Sequence, residues 1–254
     1  STAYWLKGAS KLKSVSLAGL DTSQTTSMDG MFDGCSSLES LDLSAMSTRR
    51  VTSMTAFLGG CDSLAELSLG SEFAWIGNDC YPPTGDWKQG STGTKYAENQ
   101  IPANKTDKYT RAKTAFAVYS ADDQSLTFYK RPVAPAEGAQ FLGKTASKVF
   151  TGFETKAYFS ARSVPWSAYK SDVKTVTVAD EGIAPRSTEM WFSDMAALGS
   201  ADMLKLDTSN VVRMGFMFDS CGSLTSLDVS HFDTHNVMRM DGMFYGCESL
   251  TSLD

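Results

Sequence analysis

Apolar residues recur in this chain at intervals of 26 residues, in two separate stretches of the sequence. Each repeat carries an adjacent pair of large apolar residues: Trp5-Leu6, Met31-Phe32 and Phe57-Leu58 in the first stretch, and Trp191-Phe192, Met217-Phe218 and Met243-Phe244 in the second. Cysteine follows the pair by three residues in four repeats, at Cys35, Cys61, Cys221 and Cys247. A fixed period of about 20 to 29 residues is typical of solenoids built from leucine-rich repeats.

The order of apolar and polar residues inside one repeat predicts one short strand and one short helix. Leu38, Leu41 and Leu43 are interleaved with polar residues, as in a strand with one buried face. Four earlier residues have the i, i+3, i+4, i+7 spacing of an apolar helical face: Met28, Met31, Phe32 and Cys35. One strand and one helix cannot bury a core alone, so the repeats must stack. The predicted fold class is therefore an α/β solenoid.

A longer repeat is superimposed on the short one. Residues 1–68 align without a gap with residues 187–254, at a constant offset of 186, and 28 of the 68 aligned pairs are identical. The identity is too high for two unrelated solenoids, so we infer that a larger module is duplicated. The alignment predicts that the first array is truncated at its entrance and the second at its end.

The sequence predicts two short leucine-rich repeat arrays joined by a β-rich capping region. The four predicted segments are residues 1–70 (first array), 71–112 (irregular β-rich exit cap), 113–186 (β-hairpin and entrance cap) and 187–254 (second array). Residues 71–112 are rich in Gly, Pro, Thr and aromatic residues, and Tyr81-Pro82-Pro83-Thr84-Gly85 is interpreted as a proline turn. Apolar residues alternate on both sides of Asp122-Asp123-Gln124, which predicts a β-hairpin over residues 115–130.

The repeats resemble those of a known family of bacterial surface proteins. The stretches LDVSHFDTHNV (residues 227–237) and MDGMFYGC (residues 240–247) are similar to the BspA-like leucine-rich repeat proteins. The resemblance covers the six repeats, about half of the chain. It implies an extracellular, cell-surface location, and several members of that family are associated with adhesion to host proteins or to other bacteria.

Composition and motifs argue against several other functions. The formal net charge of -6 disfavours nucleic-acid binding, which needs basic surface. The longest apolar runs fall short of the roughly 18 residues that span a bilayer. With two His residues, both near the end of the chain, we expect no metal site, no cofactor and no catalytic residues. The repeated Cys residues are predicted to be reduced and buried, because Cys is a small side chain suited to tight packing.

One column of polar residues is the candidate binding site. Residues that alternate with the buried leucines of the predicted strands point outward, onto the concave face where solenoids commonly bind ligands. They are Ser40, Asp42 and Ser44 in the first array, and Ser226, Asp228 and Ser230 in the second. The hypothesis is a monomeric, non-catalytic module that binds a host or microbial surface protein or glycan. The alternative is a structural spacer in a long surface protein, in which these residues only keep the sheet solvated.

Overall fold

The computed structural model describes residues 1–160 and 162–254. The described chain is a β-solenoid with almost no helix. Its helical residues are confined to two short 3-10 helices, Glu98–Gln100 and Ser167–Tyr169. The chain divides into two compact units, Ser1–Lys113 with Arg131–Val133, and Thr114–Lys130 with Ala134–Asp254. Among the described residues, no helix has the length and apolar character needed to cross a membrane.

The first unit is built on one six-stranded sheet. Its strands are β1 (Ser14–Val15), β2 (Ser40–Leu43), β3 (Glu66–Leu69), β4 (Trp87–Gln89), β5 (Lys95–Tyr96) and β6 (Asp107–Arg111), and their order in the sheet is β1-β2-β3-β6-β4-β5. The three repeat strands are parallel, and their register matches the sequence period, since Ser14 pairs with Ser40 and Ser40 with Glu66. β6 runs antiparallel to β3, so the segment after the repeats extends the repeat sheet.

The second unit begins with antiparallel strands and then changes to parallel repeat strands. Its strands are β7 (Thr114–Ser120), β8 (Ser125–Arg131), β9 (Gln140–Phe141), β10 (Lys144–Thr145), β11 (Lys148–Thr151), β12 (Thr175–Val178), β13 (Ser200–Asp202), β14 (Ser226–Leu227) and β15 (Ser252–Leu253). The five-stranded sheet has the order β11-β7-β8-β12-β13, while β14 and β15 form a parallel pair. β7 and β8 cover the residues of the predicted hairpin and are neighbours in this sheet.

Each repeat also contains an eight-residue stretch of consecutive backbone turns, here called a turn segment. The turn segments are residues 2–9, 28–35, 54–61, 188–195, 214–221 and 240–247. In segment 28–35, alternate backbone N–H groups donate to the carbonyls of the next repeat at 2.7–3.0 Å: Met28 to Ser53, Gly30 to Thr55, Phe32 to Phe57 and Gly34 to Gly59. The N–H groups of Met31, Asp33 and Cys35 instead donate to the carbonyl three residues earlier. Turn segments of adjacent repeats are therefore hydrogen-bonded to each other.

The helix predicted for each repeat is wrong, and the α/β solenoid is corrected to a β-solenoid. Two residues in every turn segment have φ between 51° and 78°, in the left-handed region: Tyr4, Gly8, Gly30, Gly34, Ala56, Gly60, Met190, Asp194, Phe216, Ser220, Gly242 and Gly246. A right-handed helix requires negative φ throughout. The apolar spacing nevertheless identified the inward face correctly, since Met28, Met31, Phe32 and Cys35 are all fully buried. Successive tight turns return a side chain to the core every three or four residues, as a helix does.

The repeated cysteines are free thiols, and within each array they lie one above the other along the turn segments. Cys35, Cys61 and Cys221 are buried, and Cys247 is half-buried. Each thiol lies 3.1–3.2 Å from a carbonyl oxygen of the preceding repeat, in the order Leu6, Phe32, Phe192 and Phe218. Burial raises the pKa of Cys61 and of Cys221 to about 12. Because the thiolate is the reactive form, these side chains act as packing groups and weak donors.

Side chains replace backbone donors at the entrance to the second array. In the second repeat of this array, the Met217 carbonyl accepts a hydrogen bond from the N–H of Phe192 in the first repeat. Its counterpart in the first repeat, the Trp191 carbonyl, instead accepts the indole N–H of Trp166 at 2.7 Å. Nearby, the Lys170 ammonium donates to the Met190 carbonyl at 3.0 Å and to the Ser193 hydroxyl at 2.8 Å. These two side chains donate hydrogen bonds at the edge of the array, where the N–H groups of a preceding repeat would otherwise donate.

Removing one buried aromatic ring should test the packing between repeats. Phe218 is fully buried and lies between the rings of Phe192 and Phe244, with centroid separations of 5.3 and 5.8 Å. Phe218→Ala is expected to lower the free energy of unfolding by about 3–5 kcal/mol, measured by urea denaturation. The matched control is Tyr245→Ala, an aromatic ring that is 73% exposed, which should change it by about 0.5 kcal/mol or less. Equal losses in both variants would contradict the assigned core.

The buried ammonium of Lys170 should make stability depend on pH in the alkaline range. Burial lowers the pKa of Lys170 from 10.5 to about 8, although nearby Asp194 opposes this shift. Between these values the unfolded chain binds more protons than the folded chain, so the Lys170 contribution to the free energy of unfolding rises with pH.

The pH effect is measured as the difference between the natural chain and the Lys170→Met variant, which cannot titrate at this position. Between pH 7 and pH 10, urea denaturation should show the free energy of unfolding of the natural chain rising relative to that of the variant by up to about 3 kcal/mol. Other titrating groups are common to both proteins and cancel in the comparison. A difference that stays constant or falls over this range would show that the Lys170 pKa is not lowered.

Candidate binding surface

The predicted binding residues of the first array lie on the solvent side of its sheet, called the outer face below. In β2 the side chains of Leu41 and Leu43 enter the core, while Asp42 between them is exposed. Ser40 is half-buried, and Ser44, just beyond the strand, is exposed. Parallel register sets these residues beside their counterparts in the next repeat, because Ser40 pairs with Glu66 and Asp42 with Ser68.

Ser40, Asp42 and Ser44 line two shallow depressions on the outer face. One, of about 210 Å³, is lined by Val15, Ser40, Leu41, Asp42, Glu66, Ser68 and Lys108. The other, of about 160 Å³, is lined by Ser16, Leu17, Ala18, Asp42, Ser44 and Ala45. Asp42 therefore borders both depressions and connects Ser40 with Ser44.

Charged pairs border this polar area where the repeat strands meet the later strands. The Lys108 ammonium lies 2.8 Å from a carboxylate oxygen of Glu66, and Lys113 lies 3.3 Å from Glu39. All four side chains remain more than a third exposed. Exposed pairs of this kind add little to stability but give a surface a distinct charge pattern.

The second set of predicted residues lies on the outer face of the second unit. Ser226, Asp228 and Ser230 are all exposed. A polar column precedes them in register, with Thr177 of β12 beside Thr127 of β8 and Asp202 of β13. Earlier in the same sheet, the outer side of β7 and β8 is covered by a small apolar cluster of Phe116, Val118, Tyr129 and Ala146 with residues around β9. The open part of the outer face in this unit is therefore formed by the repeat strands.

The aspartates of the outer face also have a local structural role. A carboxylate oxygen of Asp42 accepts the N–H of Ser44 at 2.9 Å, and one of Asp228 accepts the N–H of Ser230 at 2.9 Å. The Ser230 hydroxyl donates to the same Asp228 oxygen at 2.6 Å, and these bonds lower the pKa of Asp228. This is the Asx turn by which aspartate closes a chain reversal. Each carboxylate retains a second oxygen that can accept a hydrogen bond from a partner.

The outer face has the chemistry of hydrogen bonding rather than that of covalent reaction. It offers hydroxyl groups, which both donate and accept, and ionised carboxylates, which only accept. Within residues 1–160 and 162–254, no group of three or more His, Cys, Asp and Glu side chains is arranged to hold a metal ion. A surface with these groups can hydrogen-bond to a partner whose polar groups are spaced like the neighbouring repeat strands.

The sequence did not reveal two cavities in the capping regions. One, of about 460 Å³, is lined by Asn78, Asp79, Tyr81, Pro82, Glu98 and Asn99 of the first unit. The other, of about 580 Å³, is lined by Lys130, Glu154, Thr155, Ala184, Arg186, Asn210 and Val212 of the second unit. Each brings together residues about 20 or more positions apart, and the second also includes Asn210 and Val212 of the second array, so no short sequence motif predicted them. A concentration of Asn, Asp and aromatic residues in residues 71–112 was the one available signal.

Comparison with known proteins identifies a family but no activity. A family model described as "Mycoplasma protein of unknown function, DUF285" matches residues 2–71 and 186–253, which together make up more than half of the chain. The two matched segments coincide closely with the two repeat arrays. No curated protein matches the chain, and no solved structure matches it.

Proposed function

The chain belongs to the DUF285 family, and we propose that it is a non-catalytic recognition module that binds a partner through the outer face of its repeat strands. The proposal rests mainly on one observation, the row of polar side chains that β2 and β3 present in register on the solvent side of the sheet. Neighbouring repeats present Ser40, Asp42, Glu66 and Ser68 around one depression of about 210 Å³. Strands held in register supply a rigid surface, which lowers the entropic cost of binding.

The resemblance to BspA-like leucine-rich repeat proteins supports a location and a class of partner. We propose that the module is displayed on a bacterial cell surface or secreted, and that its partner is a host or microbial surface protein or glycan. The hydroxyl and carboxylate groups of the outer face suit a polar partner. Its sparse apolar content argues against a large hydrophobic interface, in which aromatic residues and Arg provide most of the binding energy.

A second candidate function is that of a structural spacer in a longer surface protein. The observation that favours it is the Asx turn at Asp42 and Asp228, since closing a turn explains why aspartate recurs without requiring a ligand. The two functions differ in a measurable way. A spacer needs these aspartates only as turn acceptors, whereas a recognition surface also uses their charge and their free oxygens.

Charge reversal on the outer face should separate the two functions. The chain is first screened against immobilised extracellular matrix proteins and glycans. With a partner in hand, Asp42→Lys combined with Asp228→Lys is expected to weaken binding tenfold or more, about 1.4 kcal/mol, as measured by surface plasmon resonance. The matched control is Asp21→Lys with Asp207→Lys, because those carboxylates accept the N–H groups of Ser23 and Ser209 in equivalent turns beyond the strands.

The control pair should leave binding within about twofold while changing the melting temperature as much as the outer-face pair does. Equal loss of binding in both pairs would mean that the aspartates act through folding alone. Undiminished binding in the outer-face pair would place the partner elsewhere on the chain. Failure to find any partner in the screen would favour the spacer.

A further inference from the structure

We propose that the cap following the first array contains a second binding site, a cavity for a neutral, hydroxyl-rich sugar. The cavity has a volume of about 460 Å³, within the usual range for small-ligand sites. It is here called the cap cavity, and its walls are formed by Asn78, Asp79, Tyr81, Pro82, Glu98 and Asn99. None of these residues belongs to a repeat strand or to the outer face, so the cap cavity is a separate site.

The polar groups of the cap cavity are not used by the fold. The side chains of Asn78, Asp79 and Asn99 make no hydrogen bond or ion pair with any described residue. Glu98 accepts one long bond, from the N–H of Gly85 at 3.4 Å. The repeat aspartates differ, because Asp42 accepts a hydrogen bond from its own turn. Asn78, Asp79 and Asn99 are exposed, so their polar groups are accessible to a ligand at the mouth of the cap cavity.

An aromatic ring is held beside these polar groups by packing that begins in the core. The fully buried ring of Phe57 contacts that of Phe73, with centroids 6.1 Å apart. Phe73 contacts Trp75 at 4.9 Å, and Trp75 contacts Tyr81 at 5.7 Å. Tyr81 is therefore a supported ring at the wall of the cap cavity. An amphipathic aromatic surface suits the apolar C–H groups of a sugar ring, while its hydroxyl remains free to hydrogen bond.

The backbone that carries the polar groups is fixed to the last repeat. The carbonyl of Asp79 accepts the N–H of Ala56 at 2.6 Å, in the place where another repeat would follow. The next residue, Cys80, is buried in the core of the first unit, which holds this segment in place. Glu98 begins the short 3-10 helix Glu98–Gln100, which also presents Asn99. Preformed geometry of this kind favours binding, because little freedom is lost when a ligand enters.

The lining chemistry indicates a neutral polyol. Carboxylates accept hydrogen bonds from hydroxyl groups, and carboxamides both donate and accept, so the four polar side chains complement sugar hydroxyls. The cap cavity has two carboxylates and no cationic lining residue, which disfavours acidic sugars and phosphates. Two carboxylates could attract Ca²⁺, but that ion prefers six to eight oxygen ligands and has no use for an aromatic wall.

The experiment is an NMR titration of the 254-residue chain with defined probes. The neutral probes are the methyl glycosides of glucose, galactose, mannose and N-acetylglucosamine. N-acetylneuraminic acid, glucuronic acid and calcium chloride are titrated separately. We expect at least one neutral glycoside to shift the side-chain amide signals of Asn78 and Asn99, while the acidic sugars and calcium leave them unchanged. Asn99→Ala and Tyr81→Ala are each expected to raise the dissociation constant tenfold or more.

Matched variants separate binding from folding. Asn210→Ala removes an exposed carboxamide from the other cavity and should leave the dissociation constant within twofold. Asn99 is exposed and makes no contact that the fold requires, so its variant remains informative even if Tyr81→Ala unfolds the cap. Asp42→Asn should not affect sugar binding, which distinguishes this site from the outer face. The proposal is overturned if no neutral glycoside shifts these signals, if acidic sugars or calcium shift them instead, or if Asn99→Ala binds normally.

Discussion

The backbone hydrogen bonds between turn segments of adjacent repeats determine the rest of this structure. An N–H group such as that of Phe32 donates to a carbonyl 25 residues later, and its neighbours along the segment alternate between this bond and a local turn. Left-handed residues such as Gly34 make the alternation possible. Because the bonds fix the register of one repeat on the next, they also align β2 with β3 and place Ser40 and Asp42 beside Glu66 and Ser68. The outer face is thus a consequence of the turn segments.

A stack held together in this way has unsatisfied groups at its edges, and the capping regions cover them. At the entrance to the second array, Trp166 and Lys170 donate to carbonyls of the first turn segment through their side chains. At the exit of the first array, the N–H of Ala56 donates a hydrogen bond to the carbonyl of Asp79. Arg111, buried against Trp87, donates to the carbonyls of Asp62 and Thr84 at 2.6 and 2.8 Å. The caps have irregular sequences because each must match one particular edge, and the irregular loops of the first cap form the cap cavity.

Sequence periodicity alone predicted the solenoid, its repeat length, the strand at Leu41 and Leu43, and the inward position of Met31 and Phe32. Periodicity did not predict the backbone conformation of the turn segments, because tight turns and a helix both return a residue to the core every three or four positions. Glycine was an available signal, because Gly34 and Gly60 recur inside the segment where a helix would exclude them. The cap cavity was beyond reach, because the residues that form it are not periodic and meet only through cap folding.

The most direct test is the sign of the stability change when a turn-segment glycine gains a methyl group. Gly34 has φ of +77°, and an added Cβ would lie 3.4 Å from the Gly8 Cα. Gly34→Ala should therefore lower the free energy of unfolding by about 1–2 kcal/mol or more. The control, Gly222→Ala, lies outside the left-handed region with no heavy atom within 4 Å of its Cβ, and should change it little or raise it slightly. If Gly34→Ala instead stabilises the chain by about 0.5–1 kcal/mol, as in a helix interior, the turn segments and the register that they impose would be contradicted.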